Sequence, residues 1–256
     1  MKVIAPSGLL REAADALGPV WQEVVVIGAA ALQIVLADDL SANAAPVGLI
    51  EFVVSPTRDV DVAVEMPAAE AVVSQLEHAG LEPSDEPYER GFTWVRGDLK
   101  VQLVRPFHPF PSTTAERLPT NPQLSLLARL QHRLTVAFEE APIEPRLQSA
   151  NAAALVALKQ VAFGRTRPDG TAVARDYHDV YAVVAARSDD LELAYRAADY
   201  HVRSLVDRAL ANLAVQGGPQ SRAAAEQHAA ITGDLNIATH ERAIVRASTL
   251  MARRLQ

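Results

Sequence analysis

The chain has 256 residues, 49% of them hydrophobic and 21% charged, which is the balance of a globular protein with room for one large domain or two ordinary ones. It contains no cysteine, which excludes a disulfide scaffold and a cysteine-ligated zinc site. A net charge of -7 argues against non-specific coating of nucleic acid, which takes an excess of Lys and Arg. The N-terminal stretch lacks the apolar core of a signal peptide, and no apolar run approaches the roughly 18 residues of a membrane span, so a cytoplasmic protein without a membrane partner is expected.

In chain order, the pattern predicts a helix from Ser7 to about Ala16, capped by the Ser7 hydroxyl and closed by Gly18-Pro19. Gln22–Ile27 is a short, Val-rich apolar run and reads as a buried strand. It ends at Gly28, after which Ala29–Leu36 has helix-forming composition. Gly28 thus marks a strand-to-helix turn, where backbone amides become available to an anion. Residues 38–48 read as a loop and 49–54 as a strand. From 58 to 65 polar and apolar residues alternate, with Asp59, Asp61, Ala63 and Glu65 on one side and Val60, Val62 and Val64 on the other, the period of a strand with one buried face.

A helix is predicted over 67–79, with Pro67 at its start and Gly80 past its end. Residues 92–95 and 99–104 form the arms of a hairpin turning at Gly97-Asp98. The Pro-rich stretch that follows marks a domain boundary, giving an α/β domain over 1–118 and a helical domain over 119–256. Helical spacing recurs at about 122–138, 150–164, 174–187, 190–214, 219–231 and 236–255, with no further strand signal. The expected class is α+β: a mixed sheet with flanking helices, then an all-helical domain.

Charge divides with this organisation. Residues 1–118 carry eight bases against seventeen acids, and 119–256 carry sixteen against fourteen. Of the 24 bases, 21 are Arg. Those of the helical tail (Arg196, Arg203, Arg208, Arg242, Arg246, Arg253, Arg254) either line a groove for a polyanion or form solvated helix faces.

Asp59-Val60-Asp61 places two carboxylates on one strand face. Such a pair is tolerated when solvent screens it or a hard cation lies between, and Mg²⁺ takes one or two carboxylates together with phosphate oxygens. In the second half, Asp176 and Asp179 share a helix face, and Arg175 and Asp179 are spaced to pair. A Lys159–Asp176 or Arg165–Asp179 contact would lock two helices together. His178 lies between the acids, but a lone histidine is more often structural or exposed than catalytic.

The turn Val26-Ile27-Gly28-Ala29-Ala30-Ala31-Leu32 followed by Thr57-Arg58-Asp59-Val60-Asp61-Val62 resembles the nucleotidyltransferase superfamily of polymerase-β type. Leu155 to Lys159, Arg165, and Arg175-Asp176-Tyr177-His178-Asp179 resemble the helical signature of the AbiEii/AbiGii toxins within it. Together these cover roughly residues 20–185. The resemblance implies that Asp59 and Asp61 hold Mg²⁺ on an NTP and that Gly28, Ala29 and Arg58 contact the nucleotide. It also implies that Lys159 offsets phosphate charge and that Asp176 orients Lys159 or acts on the acceptor hydroxyl.

By the same resemblance the activity is nucleotide transfer to an RNA acceptor such as the 3′ end of tRNA, by the toxin of a toxin–antitoxin or phage-abortive system with a cognate antitoxin. Besides a Gly28-to-Asp59 spacing of 31 residues, longer than the compact one expected, two departures concern site positions. Ala29 replaces the usual Gly or Ser after the first glycine. Gln102 occupies the strand position where many of these enzymes carry a third carboxylate, and an amide is neither a strong Mg²⁺ ligand nor a base. A small-molecule nucleotidyltransferase and a non-catalytic nucleotide-binding protein are the alternative readings.

Overall fold

The computed structural model of the chain describes residues 2–4, 8–37, 59–64, 68–87, 89, 91–105, 118, 127, 130–138, 141–162 and 174–256. They divide into two compact units, residues 2–150 and residues 151–256. The Ser7 cap, the loop at 38–48, the strand at 49–54, Arg58 and Arg165 lie outside the described residues. Among those described, no helix is long and apolar enough to cross a membrane.

The first unit carries a mixed sheet. Its strands are β1 (Lys2–Ile4), β2 (Val24–Val26), β3 (Val60–Val64), β4 (Glu82–Pro83), β5 (Thr93–Arg96), β6 (Leu99–Val104), β7 (Arg133–Phe138) and β8 (Ala141–Ala150). Their order across the sheet is β1-β7-β8-β2-β3-β6-β5-β4. Strand β2 lies at its centre, antiparallel to β3 and parallel to β8, and all three of its valines are buried. That explains why its sequence is apolar without alternation.

Strand β3 runs parallel to β6, and Val60, Val62 and Val64 are buried as their period predicts. The hairpin of β5 and β6 turns at Gly97, whose φ of 57° suits glycine. The flanking helices are α1 (Gly8–Leu17), α2 (Gly28–Leu36) and α3 (Ala69–His78). Gln75 of α3 donates to the Ala16 carbonyl at the end of α1 at 3.1 Å, tying these two helices together.

The helical expectation fails between 130 and 150. A 3-10 turn at Leu130–His132 leads into β7, and β8 closes the unit, so the sheet continues well past residue 118 and the helical unit begins at Asn151. Leucines at positions 124, 127, 130 and 134 imitate helical spacing. Pro142 and Pro145 argue against a strand by propensity. They are accommodated because the β7–β8 register steps from Ala137↔Arg146 to Phe138↔Ala141, so both prolines fall in an irregular stretch of β8. The charge asymmetry survives the new boundary, with eleven bases against twenty acids in 1–150 and thirteen against eleven in 151–256.

The second unit consists of α4 (Ala152–Ala162), α5 (Ala174–Ala186), α6 (Ser188–Ala197), α7 (Tyr200–Leu213), α8 (Pro219–Thr232) and α9 (Ile237–Leu255). Helix α4 is buried on every side from Ala152 to Ala157, which makes it the central helix. The single helix expected over 190–214 is two. Asp199 interrupts it, its side chain accepting from the Val202 amide at 3.0 Å as the N-cap of α7.

Removing that acceptor has a predictable size. Asp199→Ala should destabilise the helical unit by about 1 kcal/mol and Asp199→Asn by much less, measured by urea unfolding followed by far-UV circular dichroism.

Candidate functional site

The site-bearing turn of the first unit is built from β2, α2 and β3. The Ile27 amide donates to the Asp61 carbonyl at 2.9 Å, which fixes the start of α2 against β3. Gly28 then adopts a φ of 65°, a left-handed conformation that disfavours a side chain. It also has no room for one: a Cβ there would lie 3.3 Å from Asp61 Cγ and closer still to Oδ2. Glycine is therefore required twice, by backbone and by space, and its absence of a side chain seats the Asp61 carboxylate at the N-terminus of α2. The opening amides of a helix lack intrahelical partners, and the helix dipole favours negative charge there. Ala29 is the second residue of α2.

Asp59 and Asp61 are both half-buried. Cross-strand register aligns Asp61 with Gln102 of β6, and Gln102 with Thr93 of β5, in one row on a single sheet face. Gln102 therefore stands beside Asp61, at the strand position that the resemblance implied, and supplies an amide. Thr93 is fully buried, and among the described residues its hydroxyl has no hydrogen-bond partner. Lys100 of β6, two residues before Gln102, is engaged with Glu89. That bond holds the Glu89 carboxyl below the usual carboxylate range, over the opposing effect of its burial.

Carboxylate oxygens are the donor type Mg²⁺ prefers. Among the described residues, however, no group of three or more His, Cys, Asp or Glu is placed to hold a metal. A pair of acids suits Mg²⁺ when phosphate oxygens and water complete the shell, so here the ion would bind together with a polyphosphate.

The helical unit carries its own constellation. Lys159 is the only charged residue of α4. Its ammonium donates to Asp176 Oδ1 and to Asp179 Oδ2 of α5, each at 2.6 Å. Side-chain exposure is 12% for Lys159, 11% for Asp176 and 4% for Asp179, so the triad is a buried clamp. Burial alone would lower the Lys159 pKa, but the two carboxylates more than offset it and hold it above the ordinary lysine range. The expected Lys159–Asp176 contact is present. The expected Arg175–Asp179 pair is not: Asp179 turns to Lys159, and Arg175 has a buried Nη2 with no hydrogen-bond partner among the described residues.

His178 proves to be part of a cluster that spacing along one helix could not reveal, since its partners come from α8 and from the start of α9. His178 Nε2 and His228 Nδ1 are 3.2 Å apart. The His240 ring meets that of His228 edge-on at 4.8 Å. Among the arginines named from sequence, Arg196 pairs with Glu192 at 2.7 Å, and Arg254 with Asp189 at 2.8 Å and also with Glu192. These two make ion pairs at the protein surface. Arg242, Arg246 and Arg253 are exposed along α9, the first two beside Leu250 in one shallow concavity.

A scan of protein-family models gives no match to this chain, and searches of the curated proteins and of the solved structures give none either.

Two substitutions test these geometries. Gly28→Ala should lower the stability of the first unit by at least the roughly 1–2 kcal/mol of a left-handed residue, because the carboxylate must also move. Both tryptophans of the chain, Trp21 and Trp94, lie in that unit, so urea unfolding followed by tryptophan fluorescence reads the change directly. Lys159→Met leaves two buried carboxylates without a cation and should cost the helical unit about 3–5 kcal/mol. Adding Asp176→Asn and Asp179→Asn to it should recover much of the loss on the same circular-dichroism assay.

Proposed function

We propose that this protein is a Mg²⁺-dependent nucleotidyltransferase of the kind its motifs resemble. It would transfer a nucleotide from an NTP to an RNA acceptor such as tRNA, as the toxin of a toxin–antitoxin or abortive-infection system. The observation that carries this reading is the Asp61 carboxylate seated on Gly28 at the start of α2, with Asp59 two residues before it. A glycine-led helix start offers amides to phosphate, and a neighbouring acid pair offers oxygens to the cation that accompanies phosphate.

In this reading Asp59 and Asp61 hold Mg²⁺, and the metal neutralises charge on the triphosphate. The backbone at Gly28 and Ala29, with Arg58, contacts the nucleotide. Lys159 is the cation of the helical unit, with Asp176 orienting it. Catalysis is then positioning and charge neutralisation rather than a covalent protein intermediate. The exposed arginines of α9 supply a surface for the acceptor backbone, and an antitoxin would be the cognate protein partner.

Gln102 favours a second reading. In register with Asp61, it leaves the row without the third acid that would deprotonate an acceptor hydroxyl, which suits a nucleotide-binding protein without turnover. The acid excess of residues 1–150 favours a third, transfer to a cationic small molecule.

Incubation with each labelled NTP, Mg²⁺, total tRNA and an aminoglycoside separates them. Transfer to tRNA that falls by about 10²–10³-fold in Asp61→Asn supports the first reading, the scale of losing one charge-stabilising group. NTP binding without transfer to any acceptor would replace it with the second. Label appearing on an aminoglycoside and not on RNA would replace it with the third.

A further inference from the structure

The histidine cluster of the helical unit lies outside everything assigned above, yet it is anchored on the same helix as the Lys159 clamp. Helix α5 advances by about 100° per residue. Asp176 and Asp179 therefore lie within about 60° of each other, while His178 projects roughly 100° from Asp179 and 160° from Asp176. Two contacts on well-separated faces fix the rotation of a helix about its own axis. One is the clamp to α4. The other is the ring pair His178–His228, which joins α5 to α8.

The chemistry of that second contact limits its charge. An imidazole nitrogen donates only when it bears hydrogen and accepts only when it does not. With His178 Nε2 and His228 Nδ1 3.2 Å apart, the pair keeps its N–H···N bond when both rings are neutral or when one has gained a proton. A second added proton points two N–H groups at each other and sets two cations side by side, with ring centroids 5.4 Å apart.

Facing these rings are Arg175, Asp179 and Tyr181 of α5, His240 of α9 and Asp234 of the turn before it. His178 Nδ1 lies 4.0 Å from Asp179 Oδ1. His240 Nε2 lies 3.3 Å from Asp234 Oδ2. The Tyr181 ring meets His228 edge-on at 5.6 Å.

We infer that His178 and His228 form an acid-sensitive latch between α5 and α8, and that they are positioning residues for the Lys159–Asp176–Asp179 clamp. When the latch opens, α5 loses the contact that orients its two carboxylates towards α4. Burial, the neighbouring His228 and Arg175 hold the His178 pKa down at about 4, and burial with His240 lowers that of His228, so the latch is closed at neutral pH. A folded-state pKa below the ordinary 6.5 means that this stabilisation is complete above about pH 6.5 and is lost as pH falls towards 4.

Any catalytic consequence rests on the reading of Lys159 as a site residue. The latch itself does not, and its test involves no nucleotide, so the two stand or fall separately. Hydrogen exchange of α5 backbone amides in the full chain, corrected at each pH for intrinsic rate, is the measurement. Wild-type protection should fall at least tenfold between pH 7.5 and pH 5. His228→Asn, which places an untitratable amide near the Nδ1 position, should hold it within about twofold over that range.

Flat protection in the wild type, or an equal fall in His228→Asn, would overturn the latch. If His228→Asn does not fold, imidazole NMR of the wild type decides instead. Two separated titration steps for the His178–His228 pair, the lower well below 6.5, support it. Both rings titrating together near 6.5 would overturn it.

Discussion

The Lys159 ammonium sits on a helix whose other residues are apolar apart from Gln160, and a lone buried charge costs several kcal/mol unless carboxylates and hydrogen bonds surround it. Much of the helical unit is arranged to meet that demand. Helix α5 brings two acids from adjacent turns onto one ammonium, and Gln160 finds its own partner in the Asn212 amide of α7 at 3.2 Å. A fixed orientation of α5 follows, because its acids reach α4 only from one face. Replacing the triad by hydrocarbon would fill the same space at less desolvation cost.

Charge is handled differently in the sheet. Asp61 is half-buried and set against a glycine, so its carboxylate meets the end of a helix. A glycine at that turn is a steric condition for the acid as much as a backbone one. The neighbouring Gln102 and Thr93 lower the negative charge of the row compared with a three-acid arrangement. A site with fewer acids repels a polyanion less, but it also holds a divalent ion less tightly. Any metal bound there would depend on phosphate oxygens arriving with it.

Much of this was legible in the sequence where local rules and tertiary demand agree. Val60, Val62 and Val64 alternate and are buried. Gly28 breaks a valine run and turns the chain. Lys159 and Asp176, seventeen residues apart, were paired from their motif and do meet. Legibility ended where the deciding partner is distant in sequence. Strand β8 contains two prolines and becomes a strand because β2 and β7 pair with the rest of it. The break at Asp199 depends on a single cap. The histidine cluster draws on positions 178, 228 and 240, and no helical period connects them. Charge asymmetry, by contrast, was insensitive to the misplaced boundary, since residues 119–150 hold three bases and three acids.

The clamp and the histidine pair bound the helical unit from opposite sides of the pH scale. Lys159 has a folded-state pKa above the ordinary 10.5, so its stabilisation is fully present below that value and disappears only as pH rises through the folded one. His178 contributes in the opposite sense, because its neutral ring is the form that fits. Both contacts contribute their full stabilisation together between about 6.5 and 10.5. Since each grips a different face of α5, acid releases one face while the other still holds, and alkali does the reverse. Helix α5 is thus held most firmly from both faces at neutral to moderately alkaline pH, and the acids on it are best oriented towards Lys159 there.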